Sequence, residues 1–398
     1  MKTLGIITEY NPFHNGHLYH LEQSLQSTNS DATICIMSGH FLQRGTPAIM
    51  DKWTRAKNAI ENGVDLVIEL PTIYSMNSAE FFAKGSVELF NALNKIDIIT
   101  FGSENGSIEP FLTIGEIYSK EPKDFKIKLK KHLNNGISFP NAREKALRDY
   151  LGNDISIDSK PNNILGIEYS KAIFSTSSKI KLETIIRTSN DYYEKKLTGN
   201  ISSATAIRKS IKDNLNLDAI ESTIPNSTYD SLFENKNDLI FRDDFENLIF
   251  YKIRSMSLKE LKEIHDVTEG LENRIKNMSL KTETLEDLIQ AIKTKRYTYT
   301  RIQRILFKIL LNIKKEDIYH SPRYIRVLGF NQKGQKIIKE LNETCTLPII
   351  TNLKNYKPQD NIAKMMIETD IKATNIYQLM RNKKTGNLDY LKKPVIIK

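Results

Sequence analysis

Short apolar runs alternate with helix-length amphipathic stretches at the start of the chain. Leu4 to Thr8 is followed by Gly16 to Leu25, Ala32 to Ser38 by Lys52 to Asn62, and Val64 to Leu70 by Ala79 to Leu93, before a further run at Ile96 to Phe101. Runs that are apolar on both faces do not suit a sheet with one face in water, so the alternation predicts βαβαβαβ with a parallel sheet covered by helices. Residues 109–151 read as a Lys-rich helical insertion, with Pro110 and Pro140 near its helix starts. A helix over Asn163 to Phe174, a β-rich run over Ile180 to Ile186 and a helix capped by Ser202 or Ser203 and running to Ile211 complete the pattern. The expected fold class is α/β, with a Rossmann-like domain over residues 1–212. Longer amphipathic helices then take over, for example Phe245 to Arg254, Leu258 to Ile264, Thr284 to Ile292 and Tyr299 to Ile313. Residues 213–398 are therefore expected to form a mainly α-helical second domain, with the polar stretch Pro225 to Asp238 as a mobile connection.

Composition narrows the class. At 398 residues, 39% hydrophobic, with 17 Gly and 12 Pro, the chain can build two cored domains and is globular throughout. It has no apolar run of about 18 residues and its N-terminus breaks early at a polar turn, so no membrane span and no signal peptide are expected, and the location is cytoplasmic. Cys35 and Cys345 lie far apart with no metal-ligand spacing, so neither a disulfide nor a bound metal is expected. The net charge of +10 is concentrated at the end of the chain, where residues 301–398 hold 20 Lys and Arg against 8 acidic residues. That excess suits a polyanion such as nucleic acid; a solubilising surface is the plainer alternative.

The strongest chemical signal is His14-Asn15-Gly16-His17, at the junction of the first strand and first helix. There the helix N–H groups stabilise an anion, Gly16 admits a phosphate to the backbone, and two imidazoles three residues apart can donate to a triphosphate as charge builds on the α-phosphate. Later in the chain, Ser203-Ala204-Thr205-Ala206-Ile207-Arg208 places hydroxyls and N–H groups at a helix start with Arg208 one turn in, which suits β- and γ-phosphates. His14, His17 and Arg208 are thus the catalytic candidates. Read alone, Ser-Ala-Thr is equally a helix cap.

These two motifs resemble those of the HIGH-motif nucleotidyltransferase superfamily, to which pantetheine-phosphate adenylyltransferases and class I aminoacyl-tRNA synthetases also belong. Ala204 stands where the superfamily's second motif usually has a serine, and Ser202 is a candidate replacement. Longer strings resemble one family in particular, the tRNA(Met) cytidine acetate ligases: GIITEYNPFHNGHLYHL from Gly5, SGHFLQRGTPAIMDKWTRA from Ser38, TFGSE from Thr100, PNNILGIEYSKA from Pro161, ISSATAIR from Ile201, KRYTYTRIQR from Lys295 and PRYIRVLGFN from Pro322. The resemblance covers nearly the whole chain.

The resemblance implies a two-step reaction, in which ATP and acetate give acetyl-adenylate and pyrophosphate and the acetyl group then passes to N4 of the wobble cytidine of elongator tRNA(Met). ATP would be held by Ile7, Thr8, Glu9, Tyr10, Asn11, Pro12, Phe13, His14, Asn15, Gly16, His17, Leu18, Tyr19 and His20, with Gly102, Asn162, Arg187, Ser203 and Thr205 completing the pocket. Asn163 competes with Asn162 for the same role. Mg²⁺ is expected with the ATP, and a homodimer is left open. Two other readings stand beside it: a small-metabolite adenylyltransferase whose basic C-terminal part serves oligomerisation, and a non-catalytic RNA-binding protein.

Ser38 to Gly45 follows the second strand, and either His40 or Arg44 is a candidate to meet a small carboxylate, against an ordinary βα loop. Asp51, Lys52, Trp53 and Arg55 are expected as surface or capping residues, with Lys52 and Arg55 also able to face phosphate. Lys295, Arg296, Tyr297, Arg301 and Arg304 interleave cations with aromatics as RNA binding requires, and Arg323, Tyr324 and Arg326 repeat the mixture. A solvated helix face with core tyrosines is the alternative. Lys276 to Lys281 superficially matches a synthetase KMSKS loop but lies outside the nucleotide domain, and is expected to be coincidental.

Overall fold

The computed structural model describes residues 1–104, 106–152, 160–187, 197, 200–214 and 217–398. Its first half runs β1 (Thr3–Thr8), α1 (Asn15–Thr28), β2 (Ala32–Ser38), α2 (Lys52–Glu61), β3 (Leu66–Leu70), the single turn α3 (Thr72–Ser75), α4 (Ala79–Leu93) and β4 (Ile98–Ser103). Helices α5 (Glu109–Lys120), α6 (Lys123–Asn134) and α7 (Phe139–Leu151) form the insertion, followed by α8 (Pro161–Ser175), β5 (Lys181–Ile186) and α9 (Ala204–Asn214). The second half holds α10 (Asn226–Glu234), α11 (Glu246–Ser255), α12 (Leu258–Glu263), α13 (Leu271–Ser279), α14 (Leu285–Ile292) and α15 (Tyr299–Leu311). It ends with β6 (Ile325–Phe330), α16 (Gln332–Thr344), β7 (Ile349–Ile350), α17 (Asn361–Gln378), α18 (Leu388–Leu391) and β8 (Val395–Ile396).

Strands β1 to β5 pair in parallel in the order β5-β4-β1-β2-β3. β2 and β3 are buried at every position, as strands covered on both faces must be. The sheet does not stop there. β6 pairs antiparallel with β3, from Leu66 opposite Phe330 to Glu69 opposite Arg326, and β7 and β8 pair in parallel with β6. The C-terminal half therefore finishes the N-terminal sheet, and a cut at residue 212 separates strands that hydrogen-bond to one another. The core is continuous as well: Phe41, on the loop after β2, packs against Phe245, Phe307 and Tyr377 with ring centroids 5.6, 5.7 and 6.3 Å away. The stretch Pro225 to Asp238, expected to be a mobile connection, carries α10, whose Ser231 hydroxyl donates to Asn58 Oδ1 of α2 at 2.7 Å.

Arg326 corrects the sequence reading. Expected at an RNA interface, it lies 4% exposed in β6 within a buried network of four charges. Lys52 Nζ is 2.7 Å from Glu69 Oε1 and 2.8 Å from Asp389 Oδ1, while Arg326 is 3.4 Å from Glu69 Oε2 and 2.7 Å from Asp389 Oδ1. Two cations thus alternate with two carboxylates, joining α2, β3, β6 and α18. Lys52 and Arg55 are fully buried rather than on the surface, whereas Asp51 does cap α2, accepting from Trp53 N and Thr54 N. Tyr324 is also buried, and its hydroxyl donates to Asp370 Oδ2 at 2.5 Å. Removing one partner of such a network leaves a buried charge uncompensated, so Arg326→Ala is expected to lower the unfolding free energy by about 3–5 kcal/mol in a urea titration. A change within about 0.5 kcal/mol, as at an exposed position, would contradict this placement.

Candidate active site

A cleft of about 500 Å³ opens at the C-terminal edge of the parallel sheet, between β1, β4, β5, the start of α1 and the start of α9. His14 is the N-cap of α1 and its Nδ1 accepts from Gly16 N at 3.1 Å; His17 Nδ1 accepts in turn from His14 N at 3.3 Å. The pair thus forms a reciprocal capping box built from two imidazoles, which stack with centroids 3.7 Å apart. Because each Nδ1 is an acceptor, each ring proton sits on Nε2. Burial holds both rings neutral, with help from the nearby Arg187 and Arg208: His14 is pushed down to about 3 and His17 well below its ordinary value. His20 is lowered to about 4, again mainly by burial and then by Arg187. The two catalytic candidates are therefore neutral donors fixed in orientation by the helix they cap. They can stabilise charge on a phosphoryl group through Nε2–H while remaining neutral.

The second motif closes the same cleft. Ser203 Oγ accepts from Ala206 N at 3.1 Å at the start of α9, and Arg208 donates to Asn11 O at 2.6 Å and to Thr205 Oγ1 at 3.3 Å. Gly102 borders the cleft on β4, where a Cβ would come within 3.2 Å of Arg187 Cγ. Asn162 lines the cleft and donates to Glu104 Oε1 at 3.3 Å, whereas Asn163 is fully buried, which separates the two asparagines. Ile7, Thr8, Glu9, Tyr10, Asn11, Gly16, Tyr19 and His20 line the cleft too. Pro12, Phe13, Asn15 and Leu18 are not part of its wall. Phe13 packs beneath His17 at 5.7 Å, and Asn15 Nδ2 bonds Asn200 O and Ser222 O, both at 2.9 Å, so these two residues hold the loop and helix from behind.

Arg55 sets the loops. Its guanidinium, buried in the core, donates to Glu9 O at 2.6 Å, Ser38 O at 3.1 Å and Met50 O at 3.1 Å, and also to Gly39 O. Asn11 Oδ1 accepts from Ile49 N and Glu9 Oε1 from Gln43 N, each at 2.8 Å. His40, a candidate for meeting a carboxylate, does not line the cleft: it is 1% exposed, beside Tyr377 at 4.4 Å and Thr374 Oγ1 at 3.2 Å, and burial drives its pKa well down. Arg44 does line it.

The expected RNA-binding residues divide. Lys295 and Arg296 are exposed, and Arg296 pairs with Glu269. Arg323 pairs with Asp360 at 3.3 Å. Tyr297 is only 8% exposed, its hydroxyl donates to Thr268 O at 3.0 Å and the Arg301 guanidinium lies 4.9 Å over its ring, so this ring offers no open face to a base. Arg304 turns inward and, with Thr300, lines the cleft. Lys276, from the KMSKS-like string, caps the end of α11 by donating to Ile253 O, Arg254 O and Met256 O at 3.0, 2.8 and 2.6 Å.

A helix-covered parallel sheet, with paired histidines capping its first helix and an arginine motif opening a later one, defines a nucleotidyltransferase. The HIGH Nucleotidyl Transferase family profile matches residues 1–390. The tRNA(Met) cytidine acetate ligase of Alkaliphilus metalliredigens is 43% identical, over 99% of this chain and 98% of its own, and that of Clostridium perfringens is 45% identical over 100% of both. The crystal structure of apo Thermotoga maritima TmcAL covers 100% of both chains at 32% identity with a TM-score of 0.96. The same protein bound with alpha-thio ATP covers 100% of this chain and 99% of its own, with a TM-score of 0.94. The chain belongs to the HIGH nucleotidyltransferases and, within them, to the tRNA(Met) cytidine acetate ligase family.

Neutral Nε2–H histidines have a direct signature. Across pH 5 to 8 the ring ¹⁵N resonances of His14 and His17 in the free protein are expected not to titrate, with the proton on Nε2. A midpoint near 6.5 for either ring would contradict the capping geometry.

Proposed function

We propose that the protein is an ATP-dependent ligase that activates acetate as acetyl-adenylate and transfers the acetyl group to N4 of the wobble cytidine of elongator tRNA(Met). The observation that carries this reading is the pair of neutral, Nε2-protonated imidazoles at the mouth of α1, facing a cleft closed by Arg208. One carboxylate oxygen attacks the α-phosphorus, the bond from that phosphorus to the β-phosphate bridging oxygen breaks, and pyrophosphate leaves with the bonding pair. His14 and His17 donate to the α-phosphate as its charge grows, and Arg187, Arg208, Ser203 and Thr205 hold the departing pyrophosphate. The N4 amine then attacks the acyl carbon, AMP leaves, and N4 loses one proton.

Among the described residues no group of three His, Cys, Asp or Glu side chains could hold a metal. Mg²⁺ is proposed to enter with ATP, held by phosphate oxygens and water. The RNA is held by the C-terminal half, with Lys295, Arg296, Arg301 and Arg323 as its cations, so residues 1–212 serve chiefly activation and residues 213–398 chiefly RNA. The enzyme works in the cytoplasm, where its RNA substrate is made.

The test is pyrophosphate release from ATP with acetate, longer acids or none, followed by mass analysis of nucleosides from added tRNA. Acetate-dependent release and a cytidine gaining one acetyl group are expected; acid-independent release with unmodified tRNA would refute the ligase reading. His17→Ala is expected to slow pyrophosphate release about 10²–10³-fold with tRNA affinity retained. The pair Lys295→Ala with Arg296→Ala is expected to weaken tRNA binding and leave acid activation intact.

A further inference from the structure

Arg304 was expected on the RNA face, yet its side chain enters the cleft, and the charge around it is unbalanced. Arg301, Arg304 and Lys308 lie at three- and four-residue spacing on α15, which places them on one face of the helix. The acidic residue they share is Asp266: Lys308 Nζ is 2.7 Å from its Oδ2 and Arg301 3.6 Å from its Oδ1. Asp266 thus pairs directly with two of the three cations, and Arg304 has no ion pair of its own among the described residues. Arg304 reaches Gln43 O at 3.5 Å, and its enclosed Nε has no hydrogen-bond partner among the described residues. Burial lowers the pKa of the Arg304 guanidinium; Asp266 acts against that shift, while Arg301 and Arg44 add to it.

The position is built rather than incidental. Gly45 has φ +71°, and a Cβ there would come within 2.5 Å of Arg304 Cα, so the loop after β2 lies directly on the α15 backbone. Gln303 Nε2 donates to Arg44 O at 2.7 Å and keeps the two together. Lys308 also donates to Asn77 Oδ1 at 3.2 Å, which brings the start of α4 alongside; Ala79 and Phe82 from that start, and Leu42 from the loop, line the cleft with Arg44 and Arg304. Two cation groups therefore face one cleft: Arg187 and Arg208 near the histidines, and Arg44 with Arg304 on the other side.

We propose that Arg304, with Arg44, binds the carboxylate of the acid substrate, and that Leu42, Ala79 and Phe82 form the apolar wall that receives its short alkyl group. The proposal rests on the ligase reading above. A small carboxylate is favoured over an RNA phosphate because Arg304 lies under the loop that carries Gly45, while Lys295 and Arg296 are exposed outside the cleft. A nucleotide phosphate already has Arg187, Arg208 and the second motif.

ATP–pyrophosphate exchange with acetate, propionate and butyrate, run on the full-length protein, tests this together with tRNA affinity measured without acid. Arg304→Ala is expected to raise KM for acetate at least tenfold, with KM for ATP and tRNA affinity within twofold of wild type; guanidinium added to the buffer should restore part of the loss. Arg44→Ala should shift the same KM, and unchanged ATP affinity shows that either variant is folded. Phe82→Ala should move the preference toward propionate or butyrate. An unchanged acetate KM in Arg304→Ala, or a loss falling on tRNA or ATP affinity instead, would overturn the subsite and leave the ligase reading standing. Wild-type protein that exchanges pyrophosphate with none of the acids would overturn both.

Discussion

One buried guanidinium organises the site. Arg55 is fully buried and donates to the carbonyls of Glu9, Ser38, Gly39 and Met50, which belong to the loop after β1 and to the segment between β2 and α2. A charge without water needs acceptors for its donors, and those four carbonyls supply them only when both loops hold one arrangement. Burial lowers the pKa of Arg55, and Tyr377, Asp51, Glu9 and Glu69 act against that shift. Asn11 and Glu9, which accept from Ile49 N and Gln43 N, extend the link. The wall carrying the HxGH motif and the wall carrying Arg44 are in this way fixed relative to each other before any substrate arrives, which is where preorganisation in such a site comes from.

A second constraint binds the two halves of the chain. The alternating charges of Lys52, Glu69, Arg326 and Asp389 lock β6 and α18 onto α2 and β3, and Phe41 shares its packing with rings of α15 and α17. Helix α15 then delivers Thr300 and Arg304 to a cleft whose other walls come from the first 210 residues. One helix thus turns Arg304 into the cleft while its neighbour Arg301 pairs with Asp266.

The parallel core of the fold was legible because its strands are apolar on both faces and its helices are evenly spaced. The two phosphate motifs were legible because their residue types sit at strand-to-helix junctions, where the backbone already favours anions. Other features depended on partners hundreds of residues away. The run Ile325 to Phe330 lies among helices and gains its meaning only by pairing with β3. Lys52 and Arg326 read as surface or RNA-facing cations, since nothing near them in sequence announces Glu69 and Asp389. His40 resembled a ligand-facing residue after a strand, but its loop folds it toward Tyr377 and Thr374. Arg304 belongs to an RNA-like tract in sequence and to the cleft in space; the helical period, with Arg301 and Lys308 on the same face, was the available hint.

The chemistry we propose is stabilisation by position: neutral imidazoles, a helix N-terminus and fixed arginines around an in-line displacement at the α-phosphorus. Its central claim is that the acid's own oxygen attacks that phosphorus. Acetate labelled with ¹⁸O in both carboxylate positions, turned over with ATP and tRNA, tests this most directly by mass spectrometry of the products. The account predicts AMP carrying one ¹⁸O and unlabelled pyrophosphate. Label in inorganic phosphate or pyrophosphate, with AMP unlabelled, would mean that attack occurs elsewhere on the triphosphate and would contradict it.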